Sequence, residues 1–171
     1  MSLRIQTLKT EYADYPVGLD EPNPRLGWTL VSPHRGKKQT AYRIIVASAR
    51  EQLDRLEGDL WDSGIVQSDA SHHIEYAGKP LQSGQICHWK VRVWDEQGAP
   101  SEWSDAAYWV MGLLSPQEEW TAEWLDMPRD LPNEPELLRP AYLRRMFRLR
   151  SGIRRALVFA TALGDYALFL N

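Results

Sequence analysis

Residues 86–94 constrain the fold more than any other stretch of this chain. In Ile-Cys-His-Trp-Lys-Val-Arg-Val-Trp, Cys87, Trp89, Val91 and Val93 alternate with His88, Lys90, Arg92 and Trp94. A period of two is the mark of a strand with one buried and one wet face. A strand of that kind needs antiparallel neighbours and a second layer over its apolar side. The β-branched and aromatic run 39–48 supplies one neighbour, with Tyr42, Ile44 and Val46 on one face and Ala41, Arg43, Ile45 and Ala47 on the other. Residues 106–111 offer another, across the turn chemistry of Asp95-Glu96-Gln97-Gly98-Ala99-Pro100. Leu26, Trp28 and Leu30 repeat the alternation nearer the N-terminus.

Residues 60–66 and 72–76 read as shorter strands, and the mixed stretch 3–12 carries no clear period. Residues 15–24 hold Pro16, Gly18, Pro22 and Pro24 and read as a loop. One short helix is expected over 50–56, capped by Ser48, with Leu53 and Leu56 three apart, and stopped by Gly58. About seven short strands separated by turn signals is the pattern of an all-β, fibronectin-III or immunoglobulin-like β-sandwich. That sandwich is expected over residues 1–114. Residues 115–139 are proline-rich and acidic and read as a linker or covering segment pinned by Trp120 and Trp124. Residues 142–149, 156–163 and 166–170 then read as the first strands of a second β-sandwich domain, incomplete over 140–171.

Composition excludes several function classes. The net charge is -3, which gives no general attraction to a phosphate backbone, so no nucleic-acid partner is expected. No apolar run reaches the roughly 18 residues of a membrane span, and the N-terminus lacks the basic and apolar regions of a secretory signal. A cytoplasmic protein without a membrane partner is the expectation. Cys87 is the one cysteine and lies in the apolar alternation, so it reads as a small buried hydrophobe and not a nucleophile.

Few residues suggest chemistry. Glu118 with Glu119, and Glu134 with Glu136, sit in a polar, proline-rich stretch with no apolar frame to raise a pKa. His72 and His73 are adjacent in an expected strand, where successive side chains point to opposite faces, so they are not expected to share a metal. No cofactor and no metal are expected. Arg139, Arg144, Arg145, Arg148, Arg150, Arg154 and Arg155 form the main charge concentration and read as an edge or domain interface. Trp28 and Trp89 fall on the faces expected to be buried. Trp61, Trp94 and Trp103 lie beside turn chemistry or on the mixed face, and are the candidates for stacking on a sugar ring.

Several ordered blocks carry a resemblance. Pro16-Val17-Gly18-Leu19-Asp20, Pro24-Arg25-Leu26-Gly27-Trp28, Arg35-Gly36 and the run 39–48 resemble the N-terminal region of bacterial α-L-rhamnosidases. Leu60-Trp61-Asp62-Ser63-Gly64-Ile65-Val66, the run 89–95 and Ser101-Glu102-Trp103-Ser104 continue it in order. Pro140-Ala141-Tyr142-Leu143-Arg144-Arg145 and Ala162-Leu163-Gly164-Asp165-Tyr166 resemble the start of that family's next β domain. Ser101-Glu102-Trp103-Ser104 also resembles the Trp-Ser element of fibronectin-type receptor modules, which implies a ladder that stiffens a sheet edge. In the rhamnosidase family, terminal α-L-rhamnose is hydrolysed with inversion by acids of an (α/α)₆ barrel well C-terminal of the β domains. No position here matches that catalytic motif. The resemblance therefore implies a non-catalytic accessory region, packed against downstream domains of a glycoside hydrolase. The alternative is a carbohydrate-binding module for rhamnose-containing glycans.

Overall fold

The computed structural model describes residues 3–125 and 142–170. Two antiparallel-dominated sheets account for Met1–Thr121, the first of two compact units. The strands are β1 (Arg4–Thr10), β2 (Val17–Leu19), β3 (Arg25–Val31), β4 (Gln39–Ala47), β5 (Trp61–Asp62), β6 (Val66–Gln67), β7 (Ile74–Glu75), β8 (Ile86–Asp95) and β9 (Ala107–Met111). One sheet has the order β1-β3-β7. The other runs β2-β9-β8-β4-β5, with β6 also pairing β4. The all-β, immunoglobulin-like sandwich anticipated above is present in this unit.

The core lies where the alternation placed it. Along β8, Cys87, Trp89, Val91, Val93 and Asp95 are buried and the residues between them are half-buried. The apolar members of that set meet Tyr42, Ile44 and Val46 of β4, Trp109 and Met111 of β9, and Leu26 and Trp28 of the smaller sheet. Trp89 and Trp109 are fully enclosed, each worth roughly 5 kcal/mol of apolar transfer by area. Asp95 ends the alternation as a turn-former, its Oδ1 accepting from the amides of Gln97 at 3.0 Å and Ala99 at 2.9 Å. Gln39 is buried as well. A register shift between Gln39 and Ala41 accompanies its inward turn, where its Oε1 accepts from Trp28 Nε1 at 2.9 Å.

Four local expectations are corrected. The stretch 3–12, which showed no period, contains β1. A bulge between Ile5 and Thr7 breaks the alternation, so Ile5 and Leu8, three apart, both pack on the core. Part of the expected loop 15–24 is β2, which pairs in parallel with β9 through three residues. The short helix α1 (Arg50–Asp54) has Ala49 at its N-cap. Ser48 instead engages Asp59, hydroxyl to Oδ2 at 2.7 Å and amide to Oδ1 at 2.8 Å. Gly58 is not the stop either. The chain leaves the helix at Leu56, which is left-handed with φ 63°, and Gly58 is needed because a Cβ there would collide with the Trp61 carbonyl oxygen.

A second short helix, α2 (Pro116–Glu119), begins with a proline in its first turn. Residues Ala122–Asn171 form the other compact unit. Its described residues 142–170, where strands were expected over 142–149, 156–163 and 166–170, carry no strand and are exposed. Alternating apolar residues become a strand only when a neighbour completes the ladder. Residues 126–141, with Glu134, Glu136 and Arg139, lie outside the described residues. Among the described residues, no helix is long and apolar enough to cross a membrane.

Candidate functional site

β4 is buried on both of its faces, and the second face builds the most chemically distinctive part of the surface. Ile45 and Ala47 point away from the sandwich core and are fully enclosed by Leu53 of α1, Trp103 and Ala106. Trp103 reaches this position because residues 101–104 are laced to β8. The Ser101 amide donates to the Val93 carbonyl at 2.8 Å and the Ser104 amide to the Val91 carbonyl at 2.9 Å. In return, Val93 N donates to Ser101 Oγ at 3.2 Å and Val91 N to Ser104 Oγ at 3.1 Å. β9 pairs β8 only from Ile86 to Trp89, so the two serines satisfy the edge that β9 leaves open.

Three cations surround the indole so positioned. The Arg92 guanidinium lies 5.0 Å from its centroid, Lys90 Nζ 5.7 Å and the Arg43 guanidinium 6.0 Å, all within cation–π range. Arg43 is also paired with Asp62 by two hydrogen bonds of 2.9 and 2.6 Å. That hydrogen bonding raises the Arg43 pKa and lowers the Asp62 carboxyl below its ordinary range. Arg50 pairs Asp54 at 3.1 Å. Lys90 and Arg92 have no ion pair among the described residues. Burial pulls the Lys90 ammonium below the ordinary lysine range, and the Asp54 charge opposes that pull. Trp103 Nε1 and Arg92 Nε are shielded from solvent without an acceptor among the described residues, as is Trp89 Nε1 in the core.

The three tryptophans singled out in the sequence are not brought together. Trp61 pairs Val46 in register, packs on the sandwich core and sits edge-on to Tyr76 at 5.5 Å. Trp94 shares the opposite face with Lys90 and Arg92 by strand parity. Trp103 lies on that face too, placed by the loop after β8. Arg43, Lys90 and Arg92 were not singled out, although the alternation had already put them on the mixed face.

Other candidates resolve into structure. Glu119 accepts from Ser83 Oγ at 2.7 Å and from the Ser115 amide at 2.9 Å, and these bonds lower its pKa. It ties α2 down. Cys87 is fully buried, and burial, with a smaller push from Asp59, lifts its thiol to about 12. His72 and His73 do not point to opposite faces as a strand would demand. His73 is left-handed with φ 58°, which breaks the alternation and leaves the rings 4.9 Å apart. His73 Nε2 bonds the Tyr12 hydroxyl, and Arg25 stacks on Tyr12 at 5.1 Å while chelated by Glu11. A cleft of about 150 Å³ opens beside Tyr12, His72 and His73. No group of three or more His, Cys, Asp or Glu among the described residues is placed to hold a metal.

Residues 5–115 match the family described as Rha78A-like, N-terminal immunoglobulin domain. The alpha-L-rhamnosidase of Streptomyces avermitilis is 41% identical over 136 residues, which cover 80% of this chain and 13% of that protein. An alpha-L-rhamnosidase of Formosa agariphila is 31% identical over 173 residues, covering 91% of this chain and 18% of its own length. Among solved structures, the Streptomyces avermitilis alpha-L-rhamnosidase complexed with L-rhamnose superposes with a TM-score of 0.72 at 41% identity, covering 78% of this chain and 13% of that one. The alpha-L-rhamnosidase from Dictyoglumus thermophilum gives a TM-score of 0.70 at 36% identity, over 75% and 14% of the two chains. The chain thus spans only 13 to 18% of the curated relatives' length.

Proposed function

Because the chain belongs to the Rha78A-like N-terminal immunoglobulin domain family, we propose that it is the non-catalytic accessory sandwich of an α-L-rhamnosidase. Its role is to pack against other domains of that enzyme and hold their arrangement. The observation that carries this reading is the extent of the match: relatives named alpha-L-rhamnosidase are covered through this region for only 13 to 18% of their length. Four of the described acids fit it. Glu11, Asp62 and Glu96 are held by Arg25, Arg43 and Lys37, and Glu119 by Ser83 and a backbone amide. Each has its pKa lowered. A general acid for glycoside hydrolysis needs a raised pKa.

The test is direct. The 171-residue chain is assayed at high concentration against an aryl α-L-rhamnoside, with release of the aryl alcohol as the signal. No turnover above buffer is expected. Turnover that scales with chain concentration would overturn the proposal.

A further inference from the structure

The outward cations of the Trp103 surface, the Lys90 ammonium and the Arg92 guanidinium, can give hydrogen bonds but cannot accept them. Two of the nearby acids are engaged with other cations, Asp62 with Arg43 and Asp54 with Arg50. Glu102 and Asp105 flank Trp103 but pair with neither cation among the described residues. A stiffening ladder alone does not account for this. Residues 101–104 are already fixed by four hydrogen bonds to β8, so Trp103 does not need two unpaired cations to hold it.

We propose that this face, centred on Trp103 with Lys90 and Arg92, docks a carboxylate-bearing surface of another domain of the same enzyme. The inference rests on the accessory-domain reading above. Charge complementarity selects the chemistry, because only an acceptor-rich partner can engage these groups. The layout selects a surface over a small anion. Lys90 and Arg92 are two residues apart on one strand face, a separation of roughly 7 Å. Carboxylates spaced along a protein segment match that row, and the indole between them offers apolar area of the kind found at interface anchors. The source follows from length. The relatives are several times longer than this chain, so such a surface is tethered at high effective concentration.

The experiment titrates the 171-residue chain with a deca-glutamate peptide, read by amide and indole NMR shifts, with deca-lysine as control. Saturable shifts centred on Lys90, Arg92 and Trp103 are expected, weakening at least tenfold between 50 and 500 mM salt. The K90E/R92E variant should lose binding tenfold or more, K90Q/R92Q should lose most of it, and K90R/R92K should retain it. Far-UV circular dichroism confirms that each variant is folded. Three results would overturn the proposal. The first is peptide binding that is absent, or unchanged in K90Q/R92Q. The second is preference for an oligogalacturonate over the peptide. The third is self-association in sedimentation velocity that K90Q/R92Q abolishes, which would make the occupant a second copy. None of these touches the accessory reading, which the rhamnoside assay decides.

Discussion

Gln39 is the most exacting test of how the two sheets are joined. It is 4% exposed, accepts from Trp28 Nε1 at 2.9 Å and donates to the carbonyls of Ser68 at 3.1 Å and Ala70 at 2.8 Å. One side chain thus ties β3, β4 and the loop before β7. Gln39→Met keeps the volume but orphans a buried indole donor, at about 1–3 kcal/mol, and leaves two partly buried carbonyls to find water. A loss of about 2–4 kcal/mol is expected. Gln39→Glu asks a finer question. One carboxyl oxygen still accepts from Trp28, but the other faces two carbonyls, which favour a proton on it. Burial and these neighbours raise the native pKa of the introduced carboxyl above its unfolded value of about 4.3. For a group raised on folding, its stabilising contribution is complete below the unfolded pKa and is lost as pH rises to the native pKa. The limiting slope is about 1.4 kcal/mol per pH unit. Urea unfolding of Q39E and wild type at pH 4 and pH 8 measures this, since subtracting wild type cancels the other groups. The deficit of Q39E should be small at pH 4 and larger at pH 8. A deficit independent of pH, or larger at pH 4, refutes the assigned bonding.

Four further outcomes follow from individual sites. Cys87, buried with its thiol lifted to about 12, should resist a thiol-reactive chromogen in the native chain and react on unfolding, so native labelling at a free-thiol rate would contradict its placement. Asp62→Asn should cost about 0.5–1 kcal/mol at pH 7, a modest figure because both partners are about one-third exposed. Asp62 has a depressed native pKa, so that contribution is present above its unfolded pKa and fades as pH falls through the native one. Urea midpoints for D62N that trail wild type equally at pH 2.5 and pH 7 would remove the Arg43 pairing as its cause. Ser101→Ala with Ser104→Ala removes the hydroxyl acceptors for two β8 amides and should cost about 2 kcal/mol together. K90Q/R92Q should cost under about 1 kcal/mol, as partly exposed cation–π contacts do, and the reverse order in thermal melts would make the cations the true fasteners.

How much of this was legible in the sequence depends on whether a feature rests on parity or on backbone irregularity. The alternation of residues 86–94 fixed both faces of β8, and that of 39–48 fixed β4, because one buried face imposes a two-residue period. β1 escaped notice because its bulge sets Ile5 and Leu8 on one side, a spacing that looks like neither strand nor helix. β2 escaped because it pairs through main-chain groups at Pro16 and Leu19, which no side-chain pattern announces. The opposed rings expected of His72 and His73 failed through another backbone irregularity, the left-handed His73. Trp103 was half legible: its resemblance to a receptor-type Trp-Ser element implied an edge ladder, but its landing place depends on serines bonding strand residues 8 and 13 positions earlier.

The division between fastening and recognition at that edge follows from which groups are satisfied. Backbone amides of Val91 and Val93 face the gap beyond β9, and leaving them buried and unbonded would cost about 1–3 kcal/mol each. Ser101 and Ser104 meet that need with short side chains and their own amides, and they bring Trp103 over Ile45 and Ala47 as a consequence. Once the indole is seated, Arg43 is held by Asp62, while Lys90 and Arg92 gain only its π face. Their charge is then partly desolvated with no ion pair among the described residues, so acceptors supplied from outside the sandwich would stabilise it further. The stiffened edge and the open cationic row are therefore two outcomes of one constraint, the early departure of β9 from β8 after Trp89.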